Sequence, residues 1–163
     1  MPVSPSERDV TIRLVVNDRA HQLDVDAGET LLGTLRERLG FTGPKEACWE
    51  GECGACTVLV DGGPVASCIL AAGSTSGRVV RTVEGLAGAA ELTTLQQAFV
   101  RHAAVQCGYC TPGVLMVLTA LLDDVPEPTE TDIRRALAGN ICRCTGYQQI
   151  VEAALDAARA VQP

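Results

Sequence analysis

The chain has 163 residues, 47% hydrophobic and 3% aromatic, with 13 basic and 20 acidic side chains and a net charge of −7. That length suits one domain or two small ones, and the scarcity of stacking rings and of any Lys/Arg cluster argues against nucleic acid as a partner. The N-terminus, MPVSPSERDV, has no basic region followed by an apolar run, and no apolar stretch is long enough to cross a bilayer, so a cytoplasmic protein without membrane attachment is expected.

Residues 1–84 read as mixed β. In VTIRLVV the alternation of Val10, Ile12, Leu14 and Val16 predicts a half-buried strand. NDRA turns the chain, and HQLDVD returns it as a hairpin partner. TLLGTLRERLG places Leu31, Leu32, Leu35 and Leu39 on one helical face, with Gly40 as a C-terminal cap. CTVLVDGGPVASC predicts a second hairpin across Asp61-Gly62-Gly63, and RVVRTV one more short strand. These elements can pack as a helix laid on a mixed sheet.

After a Gly/Ala-rich crossing, VEGLAGAAE, residues 85–163 read as helical. LTTLQQAFVRHAAV spaces Leu92, Leu95, Phe99 and His102 at helical intervals. TPGVLMVLTALLDD is apolar nearly all round, as a buried helix is, and Pro112 suits its first turn. TETDIRRALAG runs from a Thr cap to Gly139, and GYQQIVEAALDAARAV carries Ile150, Ala154, Leu155 and Ala158. Four such helices with short connections predict a small bundle. The fold class expected is α+β, a sheet domain followed by a helical one.

Eight cysteines, four in each half, need a reason in a reducing compartment, and metal is the leading one. Cys48, Cys53, Cys56 and the distant Cys68 follow the C-x4-C-x2-C…C spacing of a plant-type 2Fe–2S site. Thiolates neutralise ferric charge, and sulfides need nearby backbone N–H groups, so Gly51 and Gly54 suit a loop that must turn tightly around them. Zinc would prefer two C-x2-C pairs, and only one occurs here. Glu46, Glu50 and Glu52 crowd this loop, as a solvated rim or as a docking face. Trp49 has three readings: a shield for the sulfides, a contact for a partner, or simple packing.

The helical half holds Cys107 and Cys110 in QCGYC, and Cys142 and Cys144 one residue apart in NICRCTGY. Both pairs stand at helix junctions. If two helix starts lie side by side, four thiolates converge where N–H groups and the dipole favour negative charge. That spacing is less specific, and zinc competes with a second cluster. His21 and His102 are not expected as ligands, and no nucleophilic triad or carboxylate pair is present.

CWEGECGACTVLVDG…SC, followed by QCGYCTPG and NICRCTGY, resembles the small iron–sulfur subunit of the molybdenum hydroxylases, the family of xanthine dehydrogenase, aldehyde oxidoreductase and the bacterial N-heteroaromatic hydroxylases. The likeness covers about residues 10–158. It implies a β-grasp 2Fe–2S ferredoxin-like domain over 1–84 and a four-helix-bundle 2Fe–2S domain over 85–163. It also implies a large molybdopterin-binding (Mo) subunit and a medium FAD-binding subunit as partners, in a dimer of heterotrimers. Electrons from hydroxylation of a purine, N-heteroaromatic or aldehyde substrate would pass from the molybdenum site through the helical-domain cluster and the plant-type cluster to FAD, with no substrate site on this chain. Residue by residue, Cys48, Cys53, Cys56 and Cys68 would hold one cluster, and Cys107, Cys110, Cys142 and Cys144 the other. Gln106 and Cys144 would approach the pterin; the plainer reading of Gln106 is a polar residue bonding its own loop. Ala47 and Trp49 depart from the family's habit of Gly before the first cysteine and a small residue after it. A free-standing two-cluster ferredoxin and a zinc-stabilised interaction module are the other readings.

Overall fold

Alternating apolar residues and Asx-rich turns build the first half. In the computed structural model, which describes residues 9–88 and 91–160, strand β1 (Asp9–Val16) pairs antiparallel with β2 (Arg19–Asp26) through an Asn17-Asp18 turn, both residues at positive φ. Ile12, Leu14 and Val16 face the core, while Val10, at the strand's outer end, stays exposed. Helix α1 (Leu31–Gly33) starts on the Thr30 side-chain cap and continues as a π-helical turn over Thr34–Arg38. It buries Leu31, Leu32 and Leu35, and Gly40 follows at φ +75°.

Strands β3 (Thr57–Val60) and β4 (Gly63–Ala66) form the second hairpin, and β5 (Val79–Arg81) closes a five-stranded sheet in the order β2-β1-β5-β3-β4. β5 runs parallel to β1 and antiparallel to β3. One core forms between sheet and helix from Ile12, Val16, Leu31, Leu35, Val58 and Val80.

In the second half α2 (Thr94–Arg101) opens on a Thr93/Gln96 capping box. Leu92, expected on that helix, precedes the cap and is exposed, because the Thr93 hydroxyl satisfies the first turn and starts the helix later. Helix α3 (Thr111–Asp124) is the buried helix the sequence predicts, with Pro112 in its first turn. Helix α4 (Glu130–Ala136) starts at a Thr129/Asp132 capping box and tightens into a 3₁₀ turn at Leu137–Gly139; α5 (Gln148–Ala160) follows. The four helices share a core of Phe99, Val114, Met116, Leu118, Ile133 and Ile150.

The halves are not separate bodies. All four residues of β3 are buried, and its two faces serve different cores: Val58 joins the sheet core and Leu59 the helical one. A strand buried on both faces welds the halves along α3, which is the frame on which the cysteine loops meet.

Candidate metal centres

The first set lies in the loop between α1 and β3 and at the end of the second hairpin. Gly51 (φ +79°) and Gly54 (φ +68°) take the left-handed turns that let the loop curl. That curl aims main-chain N–H groups at sulfur: Glu50 N donates to Cys48 Sγ at 3.4 Å, and the Glu52 and Cys53 amides join it. These amides, Glu50's first, with the Cys53 thiol, pull the Cys48 thiol down to about 6. Cys68 is carried back by β4. Ser67, fully buried, donates its hydroxyl to Cys56 O at 2.7 Å and accepts Leu32 N at 3.0 Å, which locks the hairpin's end under the loop. Burial pushes the Cys68 thiol up to about 11, with the neighbouring Cys56 adding to it.

The second set is assembled from two helix junctions. Cys107 and Cys110 precede α3, and Cys142 and Cys144 precede α5. Cys144 Sγ lies 3.6 Å from Cys107 Sγ, and the Cys110 and Cys142 thiols are near enough to shift one another's ionisation. The CRCTGY turn is shaped by Tyr147. Its phenol donates to Asn140 O and accepts the Cys142 N–H, both at 2.8 Å, while Thr145 Oγ1 sits 3.1 Å from Cys142 Sγ. Burial, followed by the Cys142 thiol, raises Cys110 to about 12. At Cys142 burial is again the largest influence and acts upward, but the Thr145 hydroxyl and amide outweigh it and the thiol falls below its usual value.

The thiols are therefore gathered in twos: Cys48 with Cys53, Cys56 with Cys68, Cys107 with Cys144, and Cys110 with Cys142. Among the described residues no three His, Cys, Asp or Glu side chains converge on one ion position. Two pairs per set match a two-iron cluster, in which each iron takes two thiolates, better than a mononuclear zinc site, which draws four onto one point. Main-chain donors around the loop suit anionic sulfide, so the residues present fit two 2Fe–2S clusters.

The two sets meet at a clasp that the sequence did not announce. Ile141 N donates to Cys53 O at 2.9 Å, and the buried Asn140 Nδ2 donates to Gly54 O at 3.0 Å. Gly54 O also accepts Thr57 N and Oγ1. Gly54 and Gly113 approach so closely that a Cβ on Gly113 would fall 2.1 Å from Gly54 O. Tyr109, between the second set's first two cysteines, donates its hydroxyl to Glu46 O. Gln106 is exposed beside the exposed Cys107 and Cys144. The histidines serve elsewhere: His102 Nε2 lies 3.2 Å from Asp156 Oδ2, and His21 packs edge-on to Phe41. A cavity of about 640 Å³ lined by Arg81, Leu86, Leu95, Leu122 and Ala157 contains none of the cysteines.

Two sets of four cysteines, one carried by the sheet half and one by the helical half, define an iron–sulfur protein with two 2Fe–2S-binding domains. The family described as "2Fe-2S iron-sulfur cluster binding domain" matches residues 14–82, and "[2Fe-2S] binding domain" matches residues 82–155. The nicotine 6-hydroxylase small subunit of Paenarthrobacter nicotinovorans is 53% identical over 154 residues, covering 94% of this chain and 92% of that protein. The xanthine dehydrogenase iron-sulfur-binding subunit of Escherichia coli O157:H7 is 48% identical, covering 90% and 93%. Quinoline 2-oxidoreductase from Pseudomonas putida 86 superposes with a TM-score of 0.90 at 39% identity, over 94% of this chain and 96% of that one. Aldehyde oxidoreductase from Desulfovibrio gigas superposes at 0.89 and 38% identity, over 93% of this chain but 17% of the longer one. The chain belongs to the family of small iron–sulfur subunits of the xanthine dehydrogenase and aldehyde oxidoreductase type of molybdenum hydroxylase, and is an oxidoreductase subunit.

Proposed function

We propose that this chain is the electron-transfer subunit of a cytoplasmic molybdenum hydroxylase, relaying electrons from a molybdopterin site on a large subunit, through two 2Fe–2S clusters, to FAD on a medium subunit. The substrate is a purine, an N-heteroaromatic or an aldehyde, and the assembly is a dimer of heterotrimers. The units are a β-grasp domain over 1–84 and a four-helix bundle over 85–163. Cys48, Cys53, Cys56 and Cys68 hold one cluster; Cys107, Cys110, Cys142 and Cys144 hold the other. When bound, the clusters supply one-electron carriers.

The observation that carries this reading is the clasp. Cys53 and Cys142 are linked through a single hydrogen bond, Ile141 N–H to Cys53 C=O, and the covalent step from Ile141 to Cys142. The chain thereby ties its two ligand sets into one bonded path at its own expense in loop freedom. Burial does the second task. Cys56, Cys68 and Cys142 are withdrawn from water, and the Cys56–Cys68 pair sits behind Ser67 and Leu32. On the outer side Cys107, Cys144 and Gln106 are exposed together, as a contact with a neighbouring cofactor needs, and the side-chain amide of Gln106 can both donate and accept there.

EPR of the reduced complex, with spins counted per copy of this chain and subunits resolved by mass, tests the proposal. Two distinct 2Fe–2S signals in a preparation holding molybdenum and flavin subunits are expected. One signal, or a chain that purifies without either subunit, would overturn it.

A further inference from the structure

The loop of the first thiol set carries an apolar pair that its own fold does not use. Trp49 directly follows Cys48, and Ile69 directly follows Cys68; they are 48% and 61% exposed. Ile69 lies over Gly51, whose missing Cβ would come 2.7 Å from Ile69 Cδ1, and the Gly51 N–H serves the Cys68 thiol. Each of these exposed side chains is thus bonded through the chain directly to a thiol-bearing residue of the first set, and Ile69 covers the turn at Gly51. Trp49 also sits at φ +59°, where glycine is at ease and a bulky side chain is not. A strained backbone persists when something else depends on the residue, and here its indole is not spent on the chain's own core. The charge around the pair is one-sided. Arg36 is taken by Glu46 at 3.1 Å, and the Lys45 ammonium by Thr42 O at 2.8 Å. Glu50 and Glu52 are exposed and form no ion pair among the described residues.

We infer that Trp49 and Ile69 form the anchor by which the electron-accepting partner docks over the first thiol set, and that this partner offers an apolar seat ringed by basic side chains. A half-exposed tryptophan inside a charged rim is the composition of an interface hot spot, and the uncompensated glutamates select the sign of the partner's rim. The inference rests on the proposed function, in which that partner is the flavin subunit.

The test is Trp49→Gly in the co-expressed complex. Glycine relieves the positive φ, so the isolated variant melts no lower than wild type. The flavin subunit is retained about tenfold more weakly, while the molybdenum subunit stays bound. In the wild type, Trp49 is oxidised by hydroxyl radicals in the isolated chain and protected in the complex. The double substitution Glu50→Gln/Glu52→Gln slows association at low ionic strength and loses that effect at high salt. A variant that melts lower than wild type would make Trp49 a packing residue and overturn the inference. So would full retention of the flavin subunit, or equal oxidation of Trp49 free and in the complex. A wild-type preparation without molybdenum and flavin subunits would instead overturn the proposed function itself.

Discussion

The two thiol sets solve one problem with opposite chain architectures. In the first, the outer pair, Cys48 and Cys53, comes from a single loop, and only Cys68 has to be delivered by the second hairpin. In the second, both pairs bridge the junction before α3 and the junction before α5. The first loop brings main-chain amides that hold Cys48 down at about 6, while burial lifts one sheltered thiol in each set, Cys68 to about 11 and Cys110 to about 12. Yet each set ends with a sheltered pair, Cys56–Cys68 and Cys110–Cys142, and a more accessible one. The difference teaches that the first site is largely prepared by local turn geometry and the second by tertiary packing. Ligands drawn from distant segments act as a cross-link whose benefit grows with the length of chain it closes.

Cysteine replacement should break the comparison most visibly. Cys56→Ser and Cys110→Ser should each halve the iron per chain and remove a different EPR signal. Their effects on stability should differ. Cys110→Ser opens a clip that closes a long stretch of the helical half, and should cost on the order of a few kcal/mol in chemical denaturation. Cys48→Ser, which disturbs a pair already close in the chain, should cost clearly less. Equal losses would mean that both sites are assembled by tertiary packing alone.

The clasp between the sets offers a sharper contrast, because its glycines can be compared with one that touches nothing. Gly54→Ala places a Cβ 2.2 Å from Gly139 O at φ +68°, and Gly113→Ala places one 2.1 Å from Gly54 O. Both obstacles are backbone and cannot swing away, so each substitution should destabilise the chain by about 3 kcal/mol. Gly62→Ala, at φ +86° in the β3–β4 turn with no neighbour within 4 Å, should cost about 1 kcal/mol. Asn140→Ala deletes one of the three donors on Gly54 O and should cost about 1–2 kcal/mol. It should also perturb both EPR signals, since Asn140 touches the loop of each set.

Much of this is legible in the sequence. The period-two run in β1, the apolar α3 and the Thr129 cap are local signals, and they appear where the pattern places them. The cysteine spacings spoke because ligand geometry restricts spacing. Asn140, Tyr109, Ser67 and Gly113 did not speak, because each acts across more than ten residues of chain on a backbone atom or a close approach, and no local pattern marks such a partner. Tyr147 is the intermediate case. Its phenol acts within the very motif that drew attention, and two backbone groups left open by a short C-x-C turn were a clue to its role. Leu92 misled because hydrophobic spacing alone does not see a cap.

Acid is the mildest way to set the halves apart. In the sheet half, Glu29 is held below its usual 4.5, first by the hydrogen bond from Arg38, against burial, and then by Thr34. In the helical half, Asp156 is held below its usual 3.8, first by Arg101 and then by His102. Both folded values are depressed. Each contribution is therefore complete above the usual value and disappears as pH falls through the folded one. Neither should change between pH 8 and pH 6. Glu29 is the better sheltered, at 16% side-chain exposure against 35%, and grips Arg38 through both carboxylate oxygens. Glu29→Gln should cost about 1–2 kcal/mol at neutral pH and resist added salt, while Asp156→Asn should cost less and lose its effect as salt screens the exposed pair. Each variant should converge on wild type only as pH falls through the folded value, which lies below 4.5 for Glu29 and below 3.8 for Asp156. The quantity to read is the difference between variant and wild type at each pH, because protonation of the thiolates releases iron from all of them alike. If Asp156→Asn proved the more costly and the less salt-sensitive, the helical half would owe its stability to that ion pair rather than to the core beneath it.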